Sequence, residues 1–532
     1  MARWQNVNGI YQIYPRSFKD SNGDGIGDLA GIIEKLDYIK GTPNSLGIDA
    51  IWLSPFYRSP MADFGYDISD YYSVDPLFGD LEDFKRLITE AHERDIKVMI
   101  DFVPNHTSDE HPWFIASKSS RDNEKRDWYV WRDPKANGSP PNNWLSVFGG
   151  SAWQFDEATG QYYLHSFLTK QPDLNWENPS VRKAMTDVLI FWLSLGVDGI
   201  RADAVRWISK DPGFQDNPLN ESFQEGDDPY YSQHQRYNRY GVNLFKYLRE
   251  IAAVVERYTD RIILFEDYLD ESLDSHEQYS SFYAVNPVVA APFNFEGMSI
   301  PYGAQEFRRF IGDFQNILGS ELRPFYCFSN HDKPRMASRF GPHQAKLVTL
   351  LQLTLPGIPV IYYGDELGMK NTVIPSEIVQ DPLEILAPGL GLGRDPERTP
   401  MQWSDKQYAG FSPTMPWLPV ADDFATINAT AELDDVHSLF NMYRSLLELR
   451  RSSTLLRGSY VEWQSSNDSI FGYIRQDSND TLLVLLNMSS ESVECNEDVE
   501  GEIIYSTHAT VESADEGITL LPHQGLVIRR SS

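Results

Sequence analysis

The chain has few cysteines and a shortage of basic residues. Only two of its 532 residues are cysteine, Cys327 and Cys495, which excludes a small secreted fold held by several disulfides but not a single disulfide. Lys and Arg number 46 against 77 Asp and Glu, so the formal net charge is −31. A nucleic-acid-binding protein needs a basic surface, so we expect no nucleic-acid partner. The acidic balance also disfavours a polyanionic substrate and suits a neutral one.

Long apolar runs are missing as well. No stretch approaches the about 18 apolar residues of a membrane span, and the first residues, MARWQN, lack the apolar core of a signal peptide. We therefore expect a cytoplasmic protein with no membrane partner, acting as a monomer or a homodimer. The sequence also shows no Gly-rich phosphate loop after its first strand, no Cys/His cluster of zinc spacing and no serine nucleophile elbow.

What the chain does contain is an alternation of apolar strands and amphipathic helices. In the helix predicted over 80–94, for example, one face carries Leu81, Phe84, Leu87, Ile88 and Ala91. Strands are predicted at 9–18, 48–55, 96–103, 197–203, 262–266, near 282–290, 325–329 and 358–363. About eight β/α units of this kind predict an α/β fold, a (β/α)₈ TIM barrel.

Two segments depart from this alternation. Residues 107–170, which are rich in Trp, Asn, Pro and Gly, are too long for an ordinary connection and predict a small domain inserted after the third strand. From 456 to 532, short alternating runs between polar turns predict a C-terminal antiparallel β-sandwich domain. The barrel would then comprise residues 1–106 and 171–455.

Acidic side chains and histidines recur where the predicted barrel strands end. They are Asp101, His106, Asp203, Glu266, His331, Asp332, Asp365 and Glu366. Any one of them could be a helix cap or a turn residue. Several carboxylates converging on the carboxyl-end rim of a barrel are hard to explain structurally, because like charges repel. They suit glycoside hydrolysis, in which one carboxylate attacks the anomeric carbon and a protonated acid donates to the leaving oxygen.

The loop at 20–28, DSNGDGIGD, spaces oxygen-bearing residues regularly. Its candidate ligands for a structural cation are Asp20, Asn22, Asp24, the carbonyl of Ile26, and Asp28. The loop is not an EF-hand, because position twelve would be Gly31 in place of a bidentate Glu. The alternative is a turn that binds nothing. The number of oxygens favours metal over the empty turn, and Ca²⁺ over Mg²⁺.

Nine ordered stretches identify the chain as similar to a known family. They are YQIYPRSFKDSNGDGIGDL, ADFGYDISDY, DFVPNHTS, QPDLNWENPSVR, GIRADAV, FED, SNHDKPR, PVIYYGDELGM and GRDPERTPMQW, and they run nearly end to end. The chain resembles the α-amylase family of retaining glycosidases, glycoside hydrolase family thirteen, and within it the bacterial α-glucosidase and oligo-1,6-glucosidase branch.

The resemblance implies roles for individual residues. Asp203 would be the nucleophile, oriented by Arg201, Glu266 the general acid/base and Asp332 the transition-state stabiliser. His106 and His331 would bind hydroxyls of the glucose at subsite −1. Asp63, Tyr66 and Arg398 would close the far side of that sugar, giving an exo-acting pocket. The loop at 20–28 matches the family's calcium or magnesium site, and no organic cofactor is implied.

Three positions differ from many relatives or vary within the family. Relatives usually have Gly before the acid/base, whereas in this chain Phe265 precedes Glu266. Asp267 follows Glu266, so the sequence leaves open which of the two acids donates the proton. The Asp-Asn-Gly-Tyr-Asp motif of many relatives reads with Phe64 as its second residue here. After the nucleophile stands Ala204, which in this branch goes with α-1,4 activity as Val goes with α-1,6.

The resemblance therefore predicts an exo-acting α-glucosidase for short α-1,4-linked substrates, with possible transglycosylation. The loop at 207–241 would confine the pocket to disaccharides and short chains. The alternatives are oligo-1,6-glucosidase, sucrose hydrolase or isomerase, and trehalose-6-phosphate hydrolase. A non-catalytic subunit of an amino-acid transporter is the alternative from another class. It would need a membrane span and would tolerate loss of the carboxylates.

Overall fold

Eight parallel strands form a barrel at the centre of the fold. The computed structural model describes residues 4–268, 274–319, 322–513 and 517–530. The strands are β1 (Ile10–Ile13), β2 (Ala50–Leu53), β3 (Lys97–Phe102), β4 (Gly199–Ala202), β5 (Ile262–Phe265), β6 (Ala290–Pro292), β7 (Phe325–Cys327) and β8 (Ile358–Tyr362). From β1 to β6 each pairs with the next, β7 pairs with β8, and β8 pairs with β1. A parallel bridge between Asn294 and Tyr326 joins the remaining two edges, so the predicted TIM barrel is confirmed.

The strands are short apolar runs with both faces covered. Every residue of β2 is buried, for example, and the side chain of Trp52 in this strand donates a hydrogen bond to Asp101. Parallel strands of this kind lie between a packed interior and an outer layer of helices, which explains their near-continuous apolar character.

Helices follow the strands and form that outer layer. They are Leu29–Glu34 and Leu36–Ile39 after β1, Leu81–Glu93 after β2, Pro179–Ser194 after β3, Leu244–Val255 after β4, Ser275–Tyr283 after β5, Ala304–Leu318 after β6, Met336–Phe340 and Pro342–Thr354 after β7, and Pro382–Leu386, Ala429–Asp434 and Leu439–Ser452 after β8. The helix Leu81–Glu93 begins with a capping box between Asp80 and Asp83. Its buried face is Phe84, Leu87, Ile88 and Ala91, close to the predicted stripe.

The first and sixth strands differ from their predicted positions. The first strand is predicted over 9–18, but it ends at Ile13, and Pro15–Phe18 form a short helix that begins with proline. A strand is predicted near 282–290, but residues Ser275–Tyr283 form a helix and the strand comes later, at Ala290–Pro292. Asp274 caps that helix through the backbone N–H of Glu277. The three-residue strand leaves too short an apolar run for its period to be read from sequence.

A small domain lies between β3 and the following helix. It contains the helix Pro112–Ser119 and a three-stranded antiparallel sheet of Trp131–Arg132, Trp153–Asp156 and Gln161–Leu164. Its own apolar cluster is Val130, Trp144, Ala152, Trp153 and Leu164. Phe214, from the loop at 207–241, stacks on Trp144 at 5.3 Å, so that loop packs against the inserted domain.

The C-terminal part forms two antiparallel sheets. The five-stranded sheet contains Ser459–Trp463, Ile470–Gln476, Thr481–Asn487, Glu502–Ser506 and Gly525–Arg529, and the three-stranded sheet contains Val493–Cys495, Glu512–Ser513 and Ile518–Leu520. This confirms the predicted antiparallel β domain. Among the described residues, no helix has both the length and the apolar character needed to cross a membrane.

Candidate active site

The candidate catalytic residues lie together at the carboxyl-end mouth of the barrel. Asp203 directly follows β4 and Glu266 directly follows β5, while Asp332 lies five residues beyond β7. Because all eight strands are parallel, these positions share one rim. Asp203 is 7% exposed, and the side chains of Glu266 and Asp332 are 11% and 20% exposed, so a small ligand can still reach them.

Arg201, on β4, holds three acidic groups at once. Its Nη1 donates to Asp203 Oδ1 at 2.6 Å and to Asp101 Oδ2 at 2.8 Å, and its Nη2 lies 3.0 Å from Glu266 Oε2. Asp101 is itself fixed by Trp52 Nε1 at 2.5 Å and by the Tyr66 hydroxyl at 2.9 Å. The strand pattern Arg-x-Asp places the side chains of Arg201 and Asp203 on the same face of the strand, so the two side chains can form an ion pair.

One guanidinium cannot neutralise three carboxylates. Burial raises the pKa of Asp203 well above its ordinary value, and the negative charges of Glu266 and Asp101 add to the rise. Arg201 contacts both Asp203 and Glu266, so the two carboxyl groups are held close together beside one positive charge.

Asp332 is in the opposite electrostatic situation. Burial by itself would raise the pKa of its carboxyl group, but the neighbouring positive charges hold it below the ordinary value. Arg398 Nη2 donates to Asp332 Oδ1 at 2.8 Å, and Arg394 Nη1 donates to the same oxygen at 3.2 Å. Asp332 is therefore ionised across the working pH range and offers a fixed negative charge.

His331 is held by two tyrosine rings and at both of its nitrogens. Its ring stacks on Tyr66 at 5.5 Å with an interplanar angle of 3°, and on Tyr14 at 5.9 Å. Its Nδ1 lies 2.8 Å from Gln12 Nε2 and its Nε2 lies 2.5 Å from the Tyr66 hydroxyl. Burial lowers the pKa of His331 well below its ordinary value, so the ring is neutral.

His106 and Asp63 meet through Gln171. Gln171 Nε2 lies 3.1 Å from His106 Nε2 and donates to Asp63 Oδ2 at 3.0 Å. Burial lowers the pKa of His106 to about 4, so this ring is also neutral at physiological pH. The sequence prediction named the histidine and the aspartate but missed Gln171, although it begins the stretch QPDLNWENPSVR.

Arg394, a residue that sequence reasoning did not single out, is ion-paired with Asp63, which is expected on the far side of a bound sugar. Its guanidinium donates to Asp63 Oδ1 at 2.9 Å, to Asp381 Oδ1 at 2.7 Å and to Asp332 at the distance given above. Arg398, which was predicted to close that side of the sugar, bonds the carbonyl of His331 at 2.7 Å as well as Asp332. The signal for Arg394 is present in GRDPERTPMQW, but only the fold shows which of the two arginines reaches Asp63.

Glu266 and Asp267 point in different directions. Glu266 Oε2 accepts a hydrogen bond at 2.7 Å from the backbone N–H of Ala204, the residue after Asp203. Asp267 is 2% exposed and faces away, toward Arg206 and Tyr240. The geometry therefore favours Glu266 over Asp267 as the proton donor.

Ala204 has an unusual backbone conformation. Its φ of 49° and ψ of 34° lie in the left-handed region, which costs an L-residue with a Cβ about 1 kcal/mol or more. This turn aims the Ala204 N–H at Glu266 and starts the short 3₁₀ helix Val205–Trp207.

The cation site expected in the loop at 20–28 stays a prediction, because the side-chain oxygens of the loop bond its own backbone. Successive side-chain oxygens of Asp20, Asn22 and Asp24 each accept a hydrogen bond from the backbone two residues on. Within the described residues, no group of three or more His, Cys, Asp or Glu side chains is arranged to hold a metal. A cation here would therefore depend also on Asn22 and on the Ile26 carbonyl, a mixed oxygen set that Ca²⁺ accepts.

Comparison with known proteins decides the family. Residues 12–458 match the family described as alpha amylase, catalytic domain. The chain belongs to the alpha-amylase family. The predicted enzyme class, a glycoside hydrolase, is confirmed at this level by relatives that are named as glucosidases.

Individual members of the family resemble the chain along most of its length. It is 38% identical to an oligo-1,6-glucosidase of Bacillus cereus over 99% of both chains, and 41% identical to a probable alpha-glucosidase of Rhizobium meliloti over 92% of this chain and 90% of that one. Among solved structures, an alpha-glucosyl transfer enzyme superposes with a TM-score of 0.92 at 38% identity, covering 100% of both chains.

Proposed function

We propose that this alpha-amylase-family protein is a retaining, exo-acting α-glucosidase that removes terminal glucose from short α-1,4-linked oligosaccharides. The proposal rests on the guanidinium of Arg201, which contacts the carboxyl groups of both Asp203 and Glu266. Asp332 is separately ionised beside two arginines. This is a nucleophile, a proton donor and a fixed negative charge around one small space.

In the first step, an Asp203 oxygen attacks the anomeric carbon while Glu266 gives its proton to the departing glycosidic oxygen. The ionised Asp332 stabilises the positive charge that develops on the sugar ring. In the second step, Glu266 removes a proton from water, the water oxygen attacks the same carbon, and the bond to Asp203 breaks. A sugar hydroxyl in place of that water gives transglycosylation.

The exo-acting mode is supported by the closed far wall. The Arg394–Asp63 ion pair, backed by Asp381, blocks extension of a chain beyond the terminal glucose. Phe148 lies 5.3 Å from the Arg394 guanidinium and packs the same wall. Neutral His106 and His331 can bind sugar hydroxyls without an added charge.

The α-1,4 preference is supported by the small side chain of Ala204, which leaves room beside the scissile oxygen. Oligo-1,6-glucosidase is the second candidate, because the Bacillus cereus relative carries that name across its whole length. The acidic charge and the two free, buried cysteines suit a neutral α-glucoside and a reducing, cytoplasmic setting.

The test is a set of kcat/KM values on maltose, isomaltose, sucrose and 4-nitrophenyl α-glucoside. We expect maltose to exceed isomaltose, and the released glucose to keep the α configuration when its anomer is followed by NMR. Asp203→Asn should lose at least about 10³-fold on every substrate, because it removes the nucleophile. Near-normal activity of that variant would refute the assigned mechanism.

A further inference from the structure

The acid/base Glu266 is followed by a buried carboxylate, Asp267, that has no place in the reaction above. Both oxygens of Asp267 are engaged. Oδ1 accepts from Arg206 Nε at 2.9 Å, with Arg206 Nη2 at the same distance, and Oδ2 accepts from the Tyr240 hydroxyl at 2.5 Å and from Gln278 Nε2. A buried carboxylate with this many donors is a fixed point in the structure.

The partners of Asp267 come from three different segments around the site. Arg206 lies three residues beyond the nucleophile Asp203 and also donates to the carbonyl of Tyr268. Tyr240 lies at the end of the loop at 207–241, and its backbone N–H returns to the Arg206 carbonyl at 2.9 Å. Gln278 is on the helix Ser275–Tyr283.

These contacts join the segment that carries the nucleophile to the segment that carries the acid/base. Two bonds run between the segments side by side, from the Ala204 N–H to Glu266 and from the Arg206 side chain to Asp267. The backbone N–H of Glu266 is bonded to Ala202 O at 2.9 Å, which fixes the start of the same segment. The chain around Asp203 therefore holds Glu266 at its backbone and its carboxyl group, and holds the next residue at its side chain.

We infer that Asp267, through Arg206 and Tyr240, is a positioning residue that sets where Glu266 presents its proton to the glycosidic oxygen. The inference rests on the proposed function, because it assumes that Glu266 protonates a leaving group. A positioned general acid contributes about 10²- to 10⁴-fold to rate, and a displacement of about 1 Å can cost 10²-fold. Loss of the Asp267 contacts should therefore impair proton transfer without removing the nucleophile.

Two substrates with different leaving groups separate these effects. Maltose must have its leaving oxygen protonated, whereas 4-nitrophenolate departs as a stable anion and needs little help. The kcat/KM value reports the first chemical step for both. We expect Asp267→Asn to lower kcat/KM for maltose about tenfold or more relative to 4-nitrophenyl α-glucoside, with Glu266→Gln showing the same selectivity more strongly.

A milder variant and a matched control keep the test decisive. Tyr240→Phe removes one hydrogen bond to Asp267 and should shift the ratio in the same direction by about two- to fivefold, even if Asp267→Asn folds poorly. Asp198→Asn is the control, because Asp198 is also a buried, ion-paired aspartate but precedes β4 at the opposite end of the barrel. It should lower the Tm and leave the substrate ratio unchanged.

The outcomes are distinguishable. If the wild type cleaves both substrates and Asp203→Asn abolishes both, the proposed function holds. An unchanged ratio in folded Asp267→Asn and Tyr240→Phe would then overturn the positioning role alone. A wild type inactive on every α-glucoside would instead refute the proposed function.

Discussion

At the scale of single residues, Ala204 links the chemistry to the backbone. Its side chain carries the proposed α-1,4 preference, while its left-handed conformation turns the N–H toward Glu266. A β-branched residue tolerates positive φ poorly, and glycine tolerates it freely. Side-chain size and backbone strain therefore change together when this position is varied.

We predict different results for two substitutions at this position. Ala204→Gly should retain activity on maltose and keep or raise the Tm. Ala204→Val should lower the Tm by a few degrees, because of the added strain, and raise the isomaltose-to-maltose ratio of kcat/KM. Thermal unfolding and the two rates check both parts.

Ala409→Val provides the matched control for strain. Ala409 is another buried alanine with positive φ, at 55°, and it makes no contact with Glu266 among the hydrogen bonds described. It should lower the Tm without changing the substrate ratio. If Ala204→Val left that ratio unchanged too, the specificity argument at position 204 would fail.

The candidate catalytic carboxylates could be placed from sequence because each directly follows or lies near an apolar strand. Asp203 and Glu266 keep that adjacency in the structure. Arg394, Asp381 and Gln171 could not be found in the same way, because they lie on long connections. Only the folded chain brings Arg394 and Asp63, 331 residues apart, to within 2.9 Å.

At the scale of elements, the strand that sequence reasoning misplaced is also one of the shortest in the barrel. Ala290–Pro292 has three residues, and the preceding helix contains Tyr279, Phe282 and Tyr283, which read equally well as a strand. The longer helices were found because their apolar stripe repeats several times. The spacing of apolar residues predicts a helix or strand reliably only when the element is long enough for that spacing to repeat.

The loop at 20–28 is the element whose ligand can be tested directly. We expect chelation with EGTA to lower the Tm and added Ca²⁺ to restore it, because a cation bound only by the folded loop stabilises that state. Asp24→Ala should abolish the Ca²⁺-dependent shift, since this exposed carboxylate has its oxygen in the candidate ligand set.

Asp227→Ala, which removes an exposed carboxylate from another loop, is the control and should keep the Ca²⁺ response. A Tm that does not respond to EGTA or to Ca²⁺ would show that the hydrogen bonds of Asp20 and Asp28 suffice to hold the loop.

At the scale of the whole molecule, the C-terminal sheet and the barrel share one apolar core. Phe471, Tyr473, Leu482, Val484 and Leu486 belong to the same buried cluster as the barrel helices. The Tyr473 hydroxyl lies 2.5 Å from Thr354 Oγ1, and Arg475 Nη1 donates to the Thr354 carbonyl at 2.5 Å. The other face of the sheet has a separate cluster around Leu483 and Leu485.

Sequence alone could predict this β domain but not the surface it covers. Alternation of apolar and polar residues shows that a strand has a buried face. In Thr481–Asn487 every residue after the first is buried. One face of this strand packs against the barrel on the side of the helix Pro342–Thr354, and the other face packs against the three-stranded sheet. We therefore expect barrel and β domain to unfold together.

Gly525 offers a test of that coupling. An added Cβ would lie 2.3 Å from Leu350 Cδ2 and 2.8 Å from Leu347 Cδ1, both on the buried side of the barrel helix. Gly525→Ala should therefore destabilise the protein by about 1–3 kcal/mol through overpacking. Denaturant unfolding followed by tryptophan fluorescence and by residual activity should show one coincident transition, shifted to lower denaturant.

Gly312→Ala is the matched control, because Gly312 is on the helix Ala304–Leu318 at the same domain boundary and its added Cβ would meet only Glu462, at 3.8 Å. Alanine should keep or raise stability there, since it is the better helix former. Two separate transitions in Gly525→Ala, with activity surviving loss of the β domain, would contradict a shared core. A single shifted transition would mean that the candidate active site depends on packing far from any of the proposed catalytic residues.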